Sequence, residues 1–495
     1  MEPKQVFHYF EELSRIPRES GHTKEAADYC TAFAEAHGLS WRRDEYQNVV
    51  IRKPGSRGFE QAPTVMLQGH LDMVCVADPG VSHDFRTEGL HLKTDGDYLT
   101  ADGTTLGGDD GIAVAMALAI LDSEELIHPP LECVFTSDEE IGMIGASAMD
   151  MSDLKSSVLL NLDSEDEGIF LSGCAGGIRY DLTLPIERTE ASGIPVRLHL
   201  SGLTGGHSGT DIVFGRANAV ILAGEVLNRL TEKIPSLSLR GLSAGLQDNA
   251  IPTSFTAELL VSKEDRTETE QAVQAIEADL RARFHGTDPA LSMTLTANAE
   301  ITGISEALMM DTRQTERPGQ VLTGPELRRL CAWLWNLPDG VSSMSSALPG
   351  LVETSMNCGI LRLSSTNAQV SCLLRSSSVS GKQALMRRLE AYMDLAGGSF
   401  QTSGDYPAWE YRPDSPLQSL LRDVYEEQYG KTARVETIHA GVECGLFAAK
   451  IPGLDAVSMG PEILDIHTPR ERLSISSTER FYRFLTEVLK RLAGA

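Results

Sequence analysis

The sequence lacks three features that would place it in a special class of proteins. It has no CxxC pair, and its 8 cysteines are scattered over 495 residues, which excludes a disulfide framework and makes them small core residues. Its longest near-apolar run, 111–121, is about half of the roughly 20 residues that a membrane-spanning helix needs. Residues 1–17 lack the apolar centre of a signal peptide. We therefore expect a cytoplasmic protein.

Positive charge is also scarce. The chain has 43 Lys and Arg residues against 70 Asp and Glu residues, a formal net charge of −27. A field of that sign repels nucleic-acid backbones and anionic lipid, so we expect no nucleic-acid partner and no membrane partner. The length corresponds to roughly three typical domains, and we expect more than one compact unit.

Residues 1–177 have the pattern of an α/β domain. Strands are predicted at 64–67, 131–135 and 157–162, and helices at 4–14, 23–37 and 110–121. Strands that alternate with helices favour a mostly parallel sheet with helices on both faces.

Residues 178–404 differ, because strand-like stretches dominate there and are separated by two or three helices, such as 216–230 and 382–396. This pattern is typical of an antiparallel α+β domain. Residues 405–495 return to the α/β pattern. Helices are predicted there at 416–428 and 478–493, with a strand at 456–459 and a capping box of Ser476 and Glu479. The predicted architecture is an α/β domain in two parts, interrupted by an inserted α+β domain.

Four predicted strands are each followed within a few residues by groups that can bind a metal. These groups are His70, the pair Glu139 and Glu140, Asp163, and His467. In an open α/β sheet, ligands gather at the carboxyl ends of the strands. Asp109 starts a helix after two glycines and can join the same edge. The sequence therefore predicts a metal site at this edge.

The spacing of these residues allows different roles. Residues two apart in an extended chain point the same way, so Asp72 can accept a proton from the second ring nitrogen of His70. Adjacent side chains point apart, so one of Glu139 and Glu140 can bind metal while the other takes a proton from water. A solvated acidic turn is the alternative interpretation of this pair.

The charges favour two metal ions over one. Asp109, Glu140 and Asp163 supply three negative charges, and two divalent cations supply four positive ones, which leaves one for a bridging hydroxide. Two-metal hydrolytic sites hold their ions about 3.5–4 Å apart, a gap that Asp109 could bridge. Each ion would then have one histidine, one private carboxylate and the shared aspartate. Such mixed ligation suits Zn, Co or Mn.

Seven segments together carry a family resemblance. They are GHLDMV (69–74), LGGDDGIAVAM (106–116), FTSDEEIGMIGA (135–146), LLNLDSEDEG (159–168), GGHSG (205–209), NAIP (249–252) and DIHTPRERL (465–473). In order and spacing, over essentially the whole chain, they resemble the dizinc peptidases of the glutamate carboxypeptidase and aminoacylase kind. Within that family the chain most resembles the cytosolic aminoacyl-histidine dipeptidases, which HAGVECG (439–445) also fits.

The resemblance implies a role for each candidate residue. One ion would be held by His70, Asp109 and Asp163, and the other by Asp109, Glu140 and His467. Glu139 would be the general base, and Asp72 the partner behind His70.

Residues in the inserted domain, 178–404, would complete the site. The resemblance implies that His207 reaches over it and stabilises the oxyanion. Asn249 and Arg375 would face the substrate, with Arg375 on its carboxylate. Glu443, which lies outside this domain, is a candidate for the free amino group of the substrate. From the residues alone, a tight turn with an exposed His207 and a solvated strand position for Arg375 stay open.

The implied reaction is metal-dependent hydrolysis of dipeptides, of Xaa-His type or of broader range, by a water that two metal ions activate. The inserted domain would act as a lid and join two chains into a homodimer. A tripeptidase or an N-acyl amino acid amidohydrolase of the same family is the nearest alternative. A two-metal phosphoesterase and a non-catalytic binding protein are alternatives from other classes. The acidic balance weakens the phosphoesterase, as does the lack of a phosphate-binding Gly-rich loop with Lys.

Overall fold

The computed structural model describes residues 1–297, 320–346 and 348–495. Contacts divide the chain into two compact units. Unit 1 consists of residues 1–174 and 406–495, and unit 2 consists of residues 175–405. The lid role of the 178–404 segment stays a prediction.

Both units contain helices and strands. In chain order, the helices of the described residues are α1 Lys4–Ser14, α2 Lys24–Ala36, α3 Gly108–Asp122, α4 Ile144–Ala148, α5 Ala219–Lys233, α6 Arg266–Arg283, α7 Gly324–Trp335, α8 Val379–Ala396, α9 Pro416–Tyr429, α10 Glu443–Lys450 and α11 Ile475–Ala493. The strands are β1 Ser40–Arg43, β2 Val49–Lys53, β3 Val65–His70, β4 Leu92–Asp95, β5 Tyr98–Ala101, β6 Leu131–Thr136, β7 Val158–Asn161, β8 Ile169–Cys174, β9 Gly176–Pro185, β10 Thr189–Glu190, β11 Ile194–Ser201, β12 Gly206–His207, β13 Ser238–Ala244, β14 Ala250–Ile251, β15 Phe255–Val261, β16 Ser292–Ala297, β17 Gln320–Thr323, β18 Gly340–Met344, β19 Val352–Leu363, β20 Asn367–Ser376, β21 Ser399–Tyr406, β22 Arg434–Ile438, β23 Asp455–Ser458, β24 Ile463–Leu464 and β25 Arg472–Ser474. No described helix combines the length and the apolar character that crossing a bilayer requires.

Unit 1 is built on an eight-stranded sheet with the strand order β1-β2-β6-β3-β7-β23-β8-β22. The neighbours β6, β3, β7 and β23 run parallel, as do β8 and β22, whereas β1, β2 and β6 pair antiparallel. The central strands are short apolar runs, because a parallel sheet is covered on both faces. The mostly parallel sheet that the sequence predicts is confirmed.

Successive residues of these strands pack into two different cores, because adjacent side chains point to opposite faces of a sheet. On β3, Val65 and Leu67 join a core with residues of α1, α2, α3, α9 and α11. Met66 joins a second core with residues of α4 and α10. Helices therefore cover both faces of the sheet, as predicted.

Unit 2 is built on a largely antiparallel sheet with the strand order β16-β11-β15-β13-β19-β20-β9-β21. Its described residues contain four α-helices, α5 to α8, and not the two or three helices that the sequence indicated. The pattern of α6 was missed because only Thr269, Val273, Ile276 and Leu280 are buried in an 18-residue helix. The main apolar core lies between the sheet and the helices, and Ile212, Ile251 and Val352 form a smaller separate cluster.

The last helix begins at Ile475 and not at the predicted 478. Its N-cap is Ser474, whose Oγ accepts the N–H of Ser477 at 3.2 Å. The predicted capping box of Ser476 and Glu479 is wrong, because Asp97 accepts the N–H of Ser476 at 3.0 Å.

Candidate metal centre

The carboxyl ends of four parallel strands meet at one edge of unit 1. His70 ends β3 opposite Thr136 at the end of β6, and Gln68 lies opposite Asn161 at the end of β7. Ser458 ends β23 opposite the same Asn161. The side chains that follow these strands therefore start from the same edge of the sheet, as predicted.

Two histidines face the two carboxylate oxygens of Asp109. His70 Nε2 lies 3.0 Å from Asp109 Oδ1 and 3.6 Å from Asp163 Oδ1. His467 Nε2 lies 3.1 Å from Asp109 Oδ2 and 3.1 Å from Glu140 Oε1. The structure thus brings all five predicted ligands together, with Asp109 between the two histidines.

The chemistry and spacing of these donors fit divalent cations. In a tetrahedral site with metal–ligand bonds of about 2.0–2.1 Å, neighbouring ligand atoms are about 3.3 Å apart. The contacts around Asp109 are 3.0 and 3.1 Å. One ligand atom each from His70, Asp109 and Glu140 lies within 4.8 Å of the others, and the same is true of His70, Asp110 and Asp163. Imidazole and carboxylate donors suit zinc and its neighbours.

Asp110 is an acid of this centre that the sequence analysis did not assign. Its Oδ2 accepts the N–H of His70 at 3.1 Å. A Cβ on Gly69 would come within 2.5 Å of that oxygen, so only glycine leaves room there. Burial and the charge of Asp163 raise the pKa of Asp110 well above its ordinary value. The feature of the sequence that could have pointed to Asp110 is its position directly after Asp109.

The electrostatics of the centre reflect a high density of buried acids. Burial raises the pKa of Asp163 to about 7 and that of Glu165 to about 7. Hydrogen bonds to Asp109 and Glu140 raise the pKa of His467 to about 10. Such a concentration of negative charge suits divalent cations, whose binding displaces protons from their ligands.

Asp72 organises the turn that carries the two glutamates. Its carboxylate accepts the N–H of Glu139 at 3.0 Å, the N–H of Glu140 at 3.2 Å and the hydroxyl of Ser20 at 2.8 Å. His70 Nδ1 lies 3.0 Å from the main-chain oxygen of Asp72 and 3.4 Å from its carboxylate. Asp72 therefore steadies both His70 and the Glu139–Glu140 turn.

Glu139 is half-buried beside the ligands. Asp138, which precedes it, adopts a left-handed backbone conformation with φ of 55°. Burial raises the pKa of Glu139 well above its ordinary value, opposed by His70 and reinforced by Asp163. A carboxylate with a raised pKa is a better proton acceptor near neutrality than an ordinary glutamate.

Glu443 is fully buried at the start of α10. Its Oε2 accepts hydrogen bonds from Gln68 Nε2 at 2.6 Å and Thr136 Oγ1 at 2.7 Å, while its Oε1 has no hydrogen-bond partner among the described residues. Burial raises its pKa to about 7. Its contact with a substrate amino group stays a prediction.

His207 lies in unit 2, half-buried on β12. The backbone N–H groups of Gly209 and Thr210 both donate to His207 Nδ1 at 3.3 Å. Because Nδ1 accepts, the ring proton resides on Nε2. Burial and the charge of Arg375 lower the pKa of His207, opposed by Asp211. The ring is therefore a neutral hydrogen-bond donor through Nε2.

Asn249 and Arg375 also lie in unit 2. The main-chain oxygen of Asn249 accepts the N–H of Ser208 at 2.8 Å. Asn357 donates its side-chain amide to the two carbonyl groups on either side of Asn249, at 2.7 and 2.9 Å. Arg375 is 6% exposed on β20, which excludes the alternative of a solvated strand residue.

Comparisons with known proteins cover nearly the whole chain. Its sequence is 35% identical over 494 residues to the cytosol non-specific dipeptidase of Escherichia coli (strain K12), which covers 99% of this chain and 98% of that protein. Its structure is similar to aminoacylhistidine dipeptidase from Vibrio alginolyticus, with a TM-score of 0.88, 34% identity and coverage of 99% and 97%. Aminopeptidase PepT from Bacillus cereus ATCC 10987 shares the fold, with a TM-score of 0.56, 13% identity and coverage of 99% and 98%.

The family match concerns the same part of the chain as the metal centre. Residues 66–491 match Peptidase family M20/M25/M40, and His70 and His467, the first and last of the five predicted ligands, both lie inside that range. With the segments quoted from the sequence, this match confirms the predicted kinship. The chain belongs to peptidase family M20/M25/M40.

Proposed function

We propose that this protein is a metal-dependent dipeptidase that hydrolyses Xaa-His dipeptides and other dipeptides. The observation that carries the proposal is the position of Asp109 between the ring nitrogens of His70 and His467, at 3.0 and 3.1 Å. The two relatives that match at 35% and 34% identity over the whole chain are named as dipeptidases.

The five residues around Asp109 would hold two divalent cations, for which zinc is our proposal and cobalt or manganese are the alternatives. One set is His70, Asp109 and Asp163, and the other is Asp109, Glu140 and His467. When bound, such ions supply Lewis acidity that polarises a peptide carbonyl and favours ionisation of water.

The side chains of this protein would move the protons. Glu139 would take a proton from the attacking water and return it to the leaving nitrogen, a role that its raised pKa supports. His207, neutral and protonated on Nε2, would donate a hydrogen bond to the tetrahedral oxyanion. A neutral donor of this kind needs no prior proton uptake.

The termini of the substrate would be bound by charged and polar groups. Arg375 would pair with the peptide carboxylate, because guanidinium and carboxylate match in shape and charge. Asn249 would face the peptide, and Glu443 would bind its amino group. A lid formed by residues 178–404 would limit the length of the peptide that fits.

Two further features complete the proposal. We expect a homodimer joined through unit 2, where Val213, Phe214 and Met344 are exposed apolar side chains.

We also expect a cytosolic location, where thiols stay reduced, since all eight cysteines are free.

A substrate panel tests the function. The chain is assayed with added Zn²⁺, Co²⁺ or Mn²⁺ on β-Ala-His, Gly-His, a tripeptide, an N-acetyl amino acid and an aryl phosphate. We expect metal-dependent cleavage of the dipeptides and its loss in excess chelator. Faster cleavage of the tripeptide or of the N-acetyl amino acid would instead make the protein a tripeptidase or an amidohydrolase of the same family. Hydrolysis of the phosphate alone would overturn the proposal.

Replacement of His207 tests the oxyanion role. We expect His207→Ala to lower kcat on Gly-His by about 10²- to 10³-fold, because one preorganised donor is lost, with unchanged bound metal. His199→Ala is the matched control, since His199 is a partly buried histidine of unit 2 whose Nδ1 contacts Thr256 Oγ1 at 3.0 Å. Unchanged turnover in His207→Ala would remove His207 from the mechanism.

A further inference from the structure

Glu471 is a buried carboxylate that none of the roles above uses. It is 2% exposed, and it accepts four consecutive backbone N–H groups at the start of α3. Its Oε2 accepts from Leu106 at 2.8 Å and Gly107 at 3.0 Å. Its Oε1 accepts from Gly108 at 2.8 Å and Asp109 at 3.3 Å. The last of these donors is the backbone of the residue that faces both histidines.

The same glutamate lies four residues after His467. Its own N–H donates to the main-chain oxygen of Thr468 at 3.0 Å, which closes a tight turn next to that histidine. His467 itself adopts a left-handed backbone conformation with φ of 60°. Glu471 therefore connects the loop of Asp109 to the loop of His467 through hydrogen bonds at both ends.

A buried guanidinium lies beside this junction. Arg18 is 2% exposed, and it donates to the main-chain oxygens of Leu71 at 3.0 Å, Asp72 at 3.1 Å and Gly107. Gly107 has φ of +64°, and a Cβ there would collide with the Arg18 guanidinium. The glycine thus permits both the turn and the close approach of Arg18. Burial lowers the pKa of Arg18, and the charge of Glu471 opposes this shift, so the two buried charges compensate part of each other's desolvation.

We propose that Glu471 is a positioning residue that fixes the loop of Asp109 against the loop of His467, so that the shared carboxylate and the histidine are prearranged for metal. A carboxylate with two acceptor oxygens is needed, because each oxygen takes two N–H groups. The inference rests on the proposed metal centre. Its test is metal binding, which needs no substrate.

The test compares Glu471→Gln with Glu132→Gln. Glutamine keeps the length of the side chain but turns an NH₂ group toward two N–H donors, so half of the acceptors are lost. Glu132 is the matched control, since it is also 2% exposed in unit 1 and accepts the N–H groups of Lys155 at 2.9 Å and Ser156 at 3.1 Å. Unlike Glu471, Glu132 takes its backbone N–H groups on Oε2 alone, so Glu132→Gln can keep them and loses the ion pair of Oε1 with Arg52. It therefore controls for the removal of a buried negative charge.

Three quantities are measured on the purified full chain. We expect Glu471→Gln to weaken Co²⁺ affinity by about 10- to 100-fold, as loss of a residue that orients metal ligands does, and to shift the visible Co²⁺ absorption bands. We also expect faster hydrogen–deuterium exchange at amides 106–109 in the metal-free protein. Glu132→Gln is expected to leave all three unchanged and only to lower thermal stability.

The outcomes separate this inference from the proposed function. Wild-type affinity and spectrum in Glu471→Gln would overturn it, as would an equal loss in Glu132→Gln or a wild-type chain that binds no metal. If Glu471→Gln does not fold, Glu471→Asp keeps both oxygens and the charge on a shorter stem, and the same weakening is expected. If the wild-type protein cleaves no dipeptide but Glu471→Gln still binds Co²⁺ more weakly than the wild type, only the proposed function is contradicted, and the inference about Glu471 stands.

Discussion

Glu139→Gln is expected to lower kcat on Gly-His by about 10⁴-fold, at the upper end of what one general base contributes. The side chain keeps its size but no longer accepts a proton from water or returns it to the leaving nitrogen. The turn should stay in place, because Asp72 holds the backbone N–H of Glu139 at 3.0 Å and not its side chain. The measurement is kcat and KM together with bound metal per chain.

The neighbouring glutamate provides the contrast for this prediction. Glu140 Oε1 lies 3.1 Å from His467 Nε2, so Glu140→Gln should lower the bound metal, whereas Glu139→Gln should retain it. Asp138→Asn serves as a control next in sequence, since asparagine tolerates the left-handed conformation of that position. Loss of metal from Glu139→Gln in proportion to its loss of activity would make Glu139 a ligand and not the base.

Asp109→Asn is expected to reduce the bound metal from two ions per chain to less than one, with hydrolysis near background. Oδ1 of Asp109 faces His70 and Oδ2 faces His467, at 3.0 and 3.1 Å, so one substitution damages both halves of the centre. An asparagine retains a single acceptor oxygen and presents an NH₂ group where the second ion would bind. Metal analysis after dialysis, by mass spectrometry, measures the loss.

The control for this substitution lies on the same helix. Asp122 is at the other end of α3, where it accepts from Gln5 Nε2 at 2.5 Å, and Asp122→Asn should keep wild-type metal content and activity. An Asp109→Asn protein that still holds two ions per chain would show that the carboxylate is not shared.

The position of the metal centre could be predicted from sequence because it depends on chain direction. Strands that run parallel end at one edge, and His70, Glu140 and Asp163 stand at such an end or within a few residues of it, so apolar runs followed by His70 or Asp163 are a visible signal. The helices on both faces of the sheet could also be predicted, because apolar strands alternate along the chain with segments of helical periodicity.

The supporting groups could not be predicted in this way. Arg18 donates to main-chain oxygens and Glu471 accepts main-chain N–H groups. Because every residue type has these backbone groups, the sequence does not show which residues they belong to. The tautomer of His207 likewise depends on N–H groups whose direction only the folded turn decides. The cap of α11 was misassigned because Ser476 with Glu479 fits the capping-box pattern, whereas Ser474 with Ser477 does not. The choice between Ser474 and Ser476 is made by Asp97, which lies far away in sequence.

The strand order of unit 1 has a consequence for how the protein is made. Strand β23, at 455–458, lies between β7 and β8, which precede it by almost 300 residues of chain. Unit 2 is continuous from 175 to 405 and has left the ribosome before that strand is synthesised. During translation the eight-stranded sheet of unit 1 stays split, so unit 2 can fold on the nascent chain while unit 1 closes around β23 only near the end of synthesis.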